Sequence, residues 1–231
     1  MFDLSPAEYS AMMLSLKISL WSVGIILIPG VFMGWLLARH DFYGKSLLDG
    51  ILHLPLVLPP VVTGYLLLLM LGRQGFIGKW LYQHFDITLA FSWKGAVLAT
   101  ALMSFPLMVR SIRLSISTID IKLEQASRSL GASALNSFFT VTLPLAIPGI
   151  ITGSILAFAR SLGEFGATIT FVGNIEDETR TLPLAIYTYI QMPDGADSAQ
   201  RLLIISIVIA LSALLFSGLI EKRAATWLGK K

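Results

Sequence analysis

Five long apolar stretches without a charged side chain constrain the fold of this sequence more than any other feature. They are residues 18–38, 50–72, 95–109, 129–159 and 202–220. A helix of roughly 20 apolar residues crosses a hydrocarbon core of about 30 Å. Only 13% of the 231 residues are charged, whereas a soluble domain carries about 25%. The sequence therefore predicts an all-α, polytopic transmembrane helical bundle with five spans.

Two regions leave the boundaries of these spans open. The third stretch is short, and we expect residues 87–93 to extend it, with Trp93 at the membrane interface. The sequence also allows a sixth span inside 162–191. The short apolar segment there favours a pathway-lining role for 160–175, because broken helices at membrane depth line cavities or lie within protein. Residues 181–191 are predicted to form an interfacial or re-entrant helix.

The distribution of positive charge predicts the orientation. If the loop 110–128 is cytoplasmic, ten of the 17 Lys and Arg residues lie on that side. Cytoplasmic loops of membrane proteins are enriched in these residues. The N-terminus is then outside and the C-terminus cytoplasmic. The net charge of +3 reflects this bias and does not indicate a nucleic-acid partner.

The loop between the third and fourth spans contains an amphipathic pattern. Its apolar residues recur at spacings of three and four, which predicts one stripe on one helix; they are Ile116, Ile119, Leu123, Ala126 and Leu130. Asp120 lies in the first turn, and Gly131 is a predicted C-cap. A helix that lies among lipid headgroups is the alternative interpretation.

The same loop resembles the signature of ABC importer permeases. Gln125-Ala126-Ser127 lies in the register of the family's Glu-Ala-Ala, Gly131 follows at the family's spacing, and Leu143-Pro144 closes the motif. Glu124 precedes the position at which the family has its Glu. Residues 52–68, 104–116 and 158–175 resemble the molybdate/sulfate branch of these permeases, and the similarity extends over nearly all of 14–220.

The resemblance implies a type-1 ABC importer permease fold and a permease subunit in the inner membrane. The chain would form one transmembrane domain, 1–231, with a core of about 12–220 and a cytoplasmic coupling loop of about 111–136. The expected partners are a second copy of the chain, two ATPase subunits and a periplasmic molybdate-binding protein. The expected cargo is molybdate, with sulfate, thiosulfate or tungstate as the alternatives. The implied coupling residues are Ile119, Leu123, Glu124, Gln125, Ala126, Ser127, Leu130, Gly131, Leu143 and Pro144.

Four residues are candidates for a transport pathway or gate. Pro59 and Pro60 fall inside the second stretch, where proline removes a backbone donor and bends a helix. Arg160 and Glu164 end the fourth stretch, and the Arg fork suits an oxyanion. The alternatives are a packing kink for the prolines and a local ion pair that caps the span for Arg160 and Glu164.

Several chemistries have no support in the sequence. Gly72–Trp80 superficially suggests a phosphate loop, but Trp80 stands where a Walker A loop needs Ser or Thr. The chain has no cysteine, and its three histidines are scattered, so we expect no catalytic residue, metal site or cofactor. A stand-alone channel is disfavoured because it has no use for a docking helix. Small-residue pairs at Gly30–Gly34 and Gly149–Gly153 permit close helix approach.

Overall fold

The computed structural model describes the backbone of residues 4–227 and the side chains through residue 216. The described part is all helical, without a β-strand, as predicted. In chain order its helices are α1 (Pro6–Arg39), α2 (Lys45–Val57), α3 (Pro60–Leu71), α4 (Phe76–Phe85), α5 (Trp93–Ser117), α6 (Ile121–Ser129), α7 (Ala134–Ser137), α8 (Leu143–Leu162), α9 (Gly166–Phe171), α10 (Leu182–Ile190) and α11 (Ala196–Trp227). A π-helical turn, Phe138–Thr142, joins α7 to α8.

Four continuous helices in the described residues are long and apolar enough to cross a membrane. They are Pro6–Arg39, Trp93–Ser117, Ala134–Leu162 and Ala196–Phe216. α2 and α3 pass the same test together and are bent by 110° at a short break. Counting this pair as one broken span gives the five predicted spans.

Two predicted boundaries are wrong. Residues 87–92 do not extend the third span, because Phe91 has a φ of 57° and the Ser92 side chain caps α5. α5 instead continues past Arg110 to Ser117. The fourth span begins at Ala134 rather than at residue 129, because Gly131 takes a φ of 94° and interrupts the helix.

Residues 162–191 contain no sixth span in the described structure. They fold into α9, with six residues, and α10, with nine, and neither is long enough to cross a membrane. α10 packs into the bundle through its first turns, since Leu182 and Leu184 are fully buried, and its interfacial or re-entrant placement remains a prediction. The backbone N–H of Leu182 donates to Ser15 Oγ at 2.6 Å, which fastens α10 to α1.

α5 is the central helix of the bundle. In the most apolar 18 residues of α5, 67% are buried. The corresponding share is 28% for α1 and 6% for Ala196–Phe216. α1 and α8 pack along its two sides. Both predicted small-residue pairs serve this packing: a Cβ added at Gly30 would meet Met108, and one added at Gly149 would meet Ser115. Close approach to α5 therefore explains these glycines within one chain.

Buried hydroxyl groups connect the central helices. Ser22 Oγ on α1 lies 2.5 Å from Thr100 Oγ1 on α5. Ser161 Oγ on α8 donates to Ser104 Oγ at 3.2 Å. Each such bond contributes on the order of 1 kcal/mol between membrane helices. These bonds give the apolar core a defined register.

Two ion pairs mark opposite ends of the bundle. At one end, Glu8 in the first turn of α1 accepts from Arg201 near the start of α11, with 2.8 Å between Nη2 and Oε1. At the other end, Arg39 of α1 contacts Glu124 of α6. The N-terminal end of α1 and the helix α6 therefore lie on opposite faces of the bundle. We call these the far end and the α6 end.

The bent pair α2–α3 packs against α9 through a close backbone approach. A Cβ added at Gly64 would lie 2.5 Å from the carbonyl oxygen of Ala167 and 2.9 Å from its Cα. Neither atom belongs to a flexible side chain, so any substitution must separate the two helices. Glycine at position 64 is therefore a packing requirement.

We predict that Gly64→Ala destabilises the chain by about 1–3 kcal/mol through overpacking. The matched control is Gly24→Ala, because an added Cβ there has no neighbour within 4 Å and alanine favours the helix. Thermal unfolding in detergent should show a lower midpoint for Gly64→Ala only. Equal midpoints for the two variants would contradict this packing.

Candidate functional site

α6 is a short helix with well-defined ends. Asp120 is its N-cap, and the Asp120 carboxylate accepts from the backbone N–H of Lys122 at 2.9 Å. Glu124 lies in the first turn and Arg128 in the last, which matches the charge preference of a helix dipole. Local sequence therefore stabilises this helix even though it buries no side chain completely.

Gly131 ends α6 in the predicted way. Its φ is 94°, a conformation that glycine adopts without strain. The N–H of Ala132 donates to the Ser127 carbonyl at 3.2 Å, and the N–H of Gly131 donates to the Arg128 carbonyl at 3.0 Å. These two bonds are a Schellman motif. The predicted C-cap is confirmed, and it fixes the direction in which the chain leaves α6.

The single stripe predicted from Ile116 to Leu130 is wrong. Ile116 and Ile119 precede α6 and are buried in the bundle core, with 1% and 9% exposed. Asp120 then starts a new helix, so the periodicity does not continue on one axis. Leu123 and Leu130 are 49% and 90% exposed. The pattern thus combines a core segment with an exposed helix.

An exposed apolar surface remains at the α6 end. Its members lie on α6, on the turn after it and at the start of the fourth span, and more than a third of each side chain is exposed. We call this set the coupling face; it comprises Leu123 and Leu130, which share one side of α6 at a spacing of seven, together with Leu135 and Phe139. Large apolar residues grouped beside polar ones are typical of protein interaction sites.

A carboxylate anchors α6 to two spans. Glu124 Oε1 accepts from Arg39 Nε on α1 at 2.8 Å and from Thr142 Oγ1 in the π-helical turn at 2.9 Å. Arg39 Nη2 also donates to the carbonyl of Ile119 at 2.9 Å. The Arg39 and Glu124 side chains are 10% and 18% exposed. This arrangement, the Glu124 anchor, holds α6 against the ends of α1 and the fourth span.

The sequence did not identify Arg39 and Thr142 as partners of this loop. In the sequence, Arg39 contributed only to the count of positive charges that predicts the orientation. Thr142 was only an unassigned position between Gly131 and Leu143-Pro144 of the motif. Gln125, which lies in the register of the family's Glu, is exposed, and its side chain makes no hydrogen bond within the described structure. The anchoring carboxylate therefore sits one residue before the expected position.

Leu143 and Pro144 lie inside a helix rather than at the start of a span. The helix runs from Ala134 to Leu162 and passes through the π-helical turn. Proline lacks the N–H that an α-helix needs for its i→i−4 bond, and π-helical turns accommodate such irregularities, often at functional sites. The close of the motif at Leu143-Pro144 thus follows a local change of helical pitch at the π-helical turn that contains Thr142.

The candidate gate residues Arg160 and Glu164 form an ion pair, with 2.6 Å between Nη1 and Oε2. Glu164 lies two residues beyond the end of α8, and only 2% of it is exposed. Its other oxygen accepts from the N–H of Ala167 at 2.8 Å. The pair therefore connects the end of α8 to the start of α9.

The two candidate gate elements meet at this point. Pro59 and Pro60 occupy the break between α2 and α3, and a Cβ added at Gly166 would lie 2.8 Å from Pro60. Gly166 is two residues after Glu164. Among the described residues, the buried Thr63 Oγ1 finds no hydrogen-bond partner. The broken span, the ion pair and a spare hydroxyl group thus converge around α9.

Residues 4–227 offer no cluster of three His, Cys, Asp or Glu side chains that could hold a metal ion. The sequence-based expectation about metals concerned the whole chain and remains a prediction.

Comparison with known proteins identifies the family. Residues 30–226 match the model of the family described as binding-protein-dependent transport system inner membrane component. The chain belongs to this family, and it is a multi-pass inner membrane protein with an importer permease fold.

Two groups of relatives are informative. The molybdenum transport system permease protein ModB of Escherichia coli (strain K12) is 63% identical over 214 residues, which cover 93% of each chain. The Haemophilus influenzae ModB is 57% identical over 96% of this chain and 97% of that protein. The sulfate transport system permease protein CysT of Escherichia coli (strain K12) is 38% identical over 80% of this chain and 66% of its own length.

Solved structures support the same fold. A bacterial ABC transporter that imports the acidic polysaccharide alginate matches with a TM-score of 0.76 and 17% identity, over 95% of this chain and 80% of that one. The same kind of transporter is known in complex with an alginate pentasaccharide-bound periplasmic protein. The MetNI methionine ABC transporter, in inward-facing conformations, matches with a TM-score of 0.70 and 15% identity, over 96% and 99% of the two chains.

We predict that Glu124→Gln loosens α6. The substitution removes the charge that Arg39 and Thr142 contact, and a hydrogen bond to a charged group contributes about 1.5–3 kcal/mol. Amide hydrogen exchange in 121–129 should therefore accelerate about tenfold or more. Gln125→Ala is the matched control, and its exchange should equal that of the wild type. Equal protection in all three proteins would show that the anchor does not stabilise α6.

Proposed function

We propose that this chain is the permease subunit of an ATP-driven molybdate importer. The observation that carries the cargo assignment is the 63% identity to a molybdenum permease over 93% of both chains, against 38% to a sulfate permease over a shorter region. Tungstate and sulfate are also tetrahedral dianions, so they are the competitors that an uptake experiment must exclude.

ATP hydrolysis is assigned to a separate subunit. The segment Gly72–Trp80 lacks the Ser or Thr of a Walker A loop, and the coupling face offers a separate ATPase an apolar surface. In the proposed assembly, two copies of this chain pair with two ATPase subunits, and a periplasmic molybdate-binding protein delivers the anion. The related alginate transporter with its bound periplasmic protein supports the last partner.

The geometry suggests how motion of the ATPase reaches the membrane. A displacement of α6 acts on α5 through the three-residue link 118–120. The Glu124 anchor transmits the same displacement to α1 through Arg39 and to the fourth span through Thr142. Three spans thus respond to one docking helix, whereas the loop alone suggests only the two that flank it.

The proposed orientation follows from the two ends of the bundle. If α6 docks on a cytoplasmic ATPase, the α6 end is cytoplasmic and the far end is periplasmic. The first turn of α1 then lies on the periplasmic side. α11 begins beside it, at the Glu8–Arg201 pair, and its direction leads to a cytoplasmic C-terminus. Lys230 and Lys231, which contribute to the charge bias, lie outside the described residues.

Residues at α9 are the proposed gate. Pro59, Pro60, Arg160 and Glu164 converge there, and Arg160 is 27% exposed, so its guanidinium group can exchange Glu164 for a passing oxyanion. The pairing with Glu164 weakens the attraction of Arg160 for the anion. Weak binding suits a pathway, because a transported ion must also leave.

Uptake into proteoliposomes tests the proposal. With the ATPase subunits and the binding protein present, radiolabelled molybdate should accumulate only with ATP, and excess tungstate should compete more strongly than sulfate. Stronger competition by sulfate would assign the chain to sulfate transport. Uptake without ATP would indicate a channel.

The same assay tests the coupling face with one variant. Ala126→Arg places a long charged side chain on the exposed surface of α6 and should reduce ATP-driven uptake at least about tenfold, as expected when a buried interface must accept an unpaired charge. Tyr43→Arg is the matched control, because this fully exposed residue lies outside the coupling face. Normal uptake by Ala126→Arg, with a correctly inserted protein, would contradict the coupling role.

A further inference from the structure

α4 lies at the far end of the bundle, between two membrane crossings. α3 ends at Leu71 and α5 begins at Trp93, and both residues pack on the core cluster that contains Leu14 of α1. α4 has ten residues, too few to cross a membrane. The helix is therefore held where the two neighbouring crossings reach the membrane interface.

The position of α4 is fixed by close backbone packing rather than by a flexible loop. A Cβ added at Gly78 would lie 2.1 Å from the carbonyl oxygen of Gly72, and one added at Gly75 would lie 2.4 Å from that of Leu69. These contacts fold the start of α4 tightly onto the end of α3. The segment singled out as a failed phosphate loop thus forms a rigid turn.

α4 exposes three large aromatic rings. Phe76 is 91% exposed, Trp80 is 51% exposed and Phe85 is 59% exposed. The rings of Trp80 and Phe85 meet edge to face, with 5.5 Å between their centroids. Exposed aromatic residues on a short helix beside membrane crossings are typical of a position at the headgroup level.

A cationic cavity of about 540 Å³ opens beside these rings. It is lined by Arg73, Gln74, Lys79, Tyr82 and Gln83, so no acidic side chain borders it. The Arg73 guanidinium group donates to Tyr82 Oη at 2.6 Å and lies 4.3 Å from the centre of the Tyr82 ring. Arg73 is thus held at the cavity wall, where its remaining N–H groups can bind an anion.

We propose that this cavity binds the phosphate of an anionic phospholipid while Phe76, Trp80 and Phe85 insert among the lipid chains. Arg73 supplies a planar fork for phosphate oxygens and Lys79 a point charge. The two amide side chains can donate to the rest of the headgroup. Cations beside inserted aromatic rings match the charge and the depth of an anionic lipid. This proposal does not depend on which oxyanion the protein transports.

Fluorescence quenching by brominated lipids tests the site. The full chain, assembled with its ATPase subunits, is placed in nanodiscs that contain brominated phosphatidylglycerol or brominated phosphatidylcholine in an unbrominated background. The chain has five Trp residues, so the Trp80 signal is the difference between wild type and Trp80→Phe. This signal should be quenched by both lipids, and more strongly by phosphatidylglycerol.

Removal of either cationic side chain should weaken the preference for phosphatidylglycerol and leave the insertion of Trp80 unchanged. Arg73→Gln and Lys79→Gln should each lower the relative affinity for phosphatidylglycerol about fivefold, while quenching by phosphatidylcholine persists. Lys45→Gln is the matched control, since Lys45 is a cation at the α6 end, and it should retain the preference.

Three results would overturn the proposal. Absence of quenching by either lipid would place Trp80 outside the membrane, as expected if α4 contacts a protein instead. Equal quenching by both lipids in the wild type would show that the cavity does not select an anionic headgroup. Loss of the preference on addition of millimolar inorganic phosphate or molybdate would show that the cavity binds a free oxyanion.

Discussion

The Glu124 anchor is the interaction on which the rest of this structure depends. One carboxylate oxygen joins α6 to the end of α1 and to the π-helical turn of the fourth span. Withdrawing a charge pair from water carries a penalty that good geometry and additional hydrogen bonds must offset. Here Thr142 and the carbonyl of Ile119 supply those bonds. Without the anchor, α6 would be held by its two connecting turns and by the longer hydrogen bond from Ser137 Oγ to the Glu124 carbonyl, at 3.5 Å.

If the coupling face docks on a partner, the Glu124 anchor connects that docking to the membrane helices. An exposed helix on a flexible loop could bind a partner but could not move the membrane helices in a defined way. α5 packs along α1 and α8 through close contacts at Gly30 and Gly149, so the connected spans respond as a packed unit. The bent pair α2–α3 and the Arg160–Glu164 pair meet at α9. Motion that enters at α6 can therefore reach the proposed gate through helices in direct contact.

Local chemistry explains which features the sequence predicted. The apolar stretches identified five crossings because a bilayer requires length and hydrophobicity at each one. Gly131 was predictable because its positive φ depends on its own residue type and on the helix before it. The bend at Pro59 and Pro60 was predictable for the same reason, although its angle of 110° was not, because no local pattern relates α3 to α9, on which Gly64 packs.

Features that depend on residues far apart in the sequence could not be predicted. Ile116 and Ile119 fit a helical stripe with Leu123, although the link 118–120, which ends at the N-cap Asp120, separates the two helices. Arg39 and Glu124 are 85 residues apart, and no local pattern relates them. Charged residues were expected to end the third span, but α5 continues through Arg110 to Ser117. In this continuation the Arg113 guanidinium group pairs with Asp49 of α2 at 2.9 Å.

The central claim is that α6 and the end of α1 move together, and a distance measurement during the ATPase cycle tests it. The chain has no cysteine, so spin labels at Ser129→Cys and Phe42→Cys report one distance within each copy in the assembled transporter. The account predicts that nucleotide binding changes this distance by less than about 2 Å, the scale of small helix shifts, and that Glu124→Gln allows a larger change. A larger change in the protein with Glu124 intact would contradict the account.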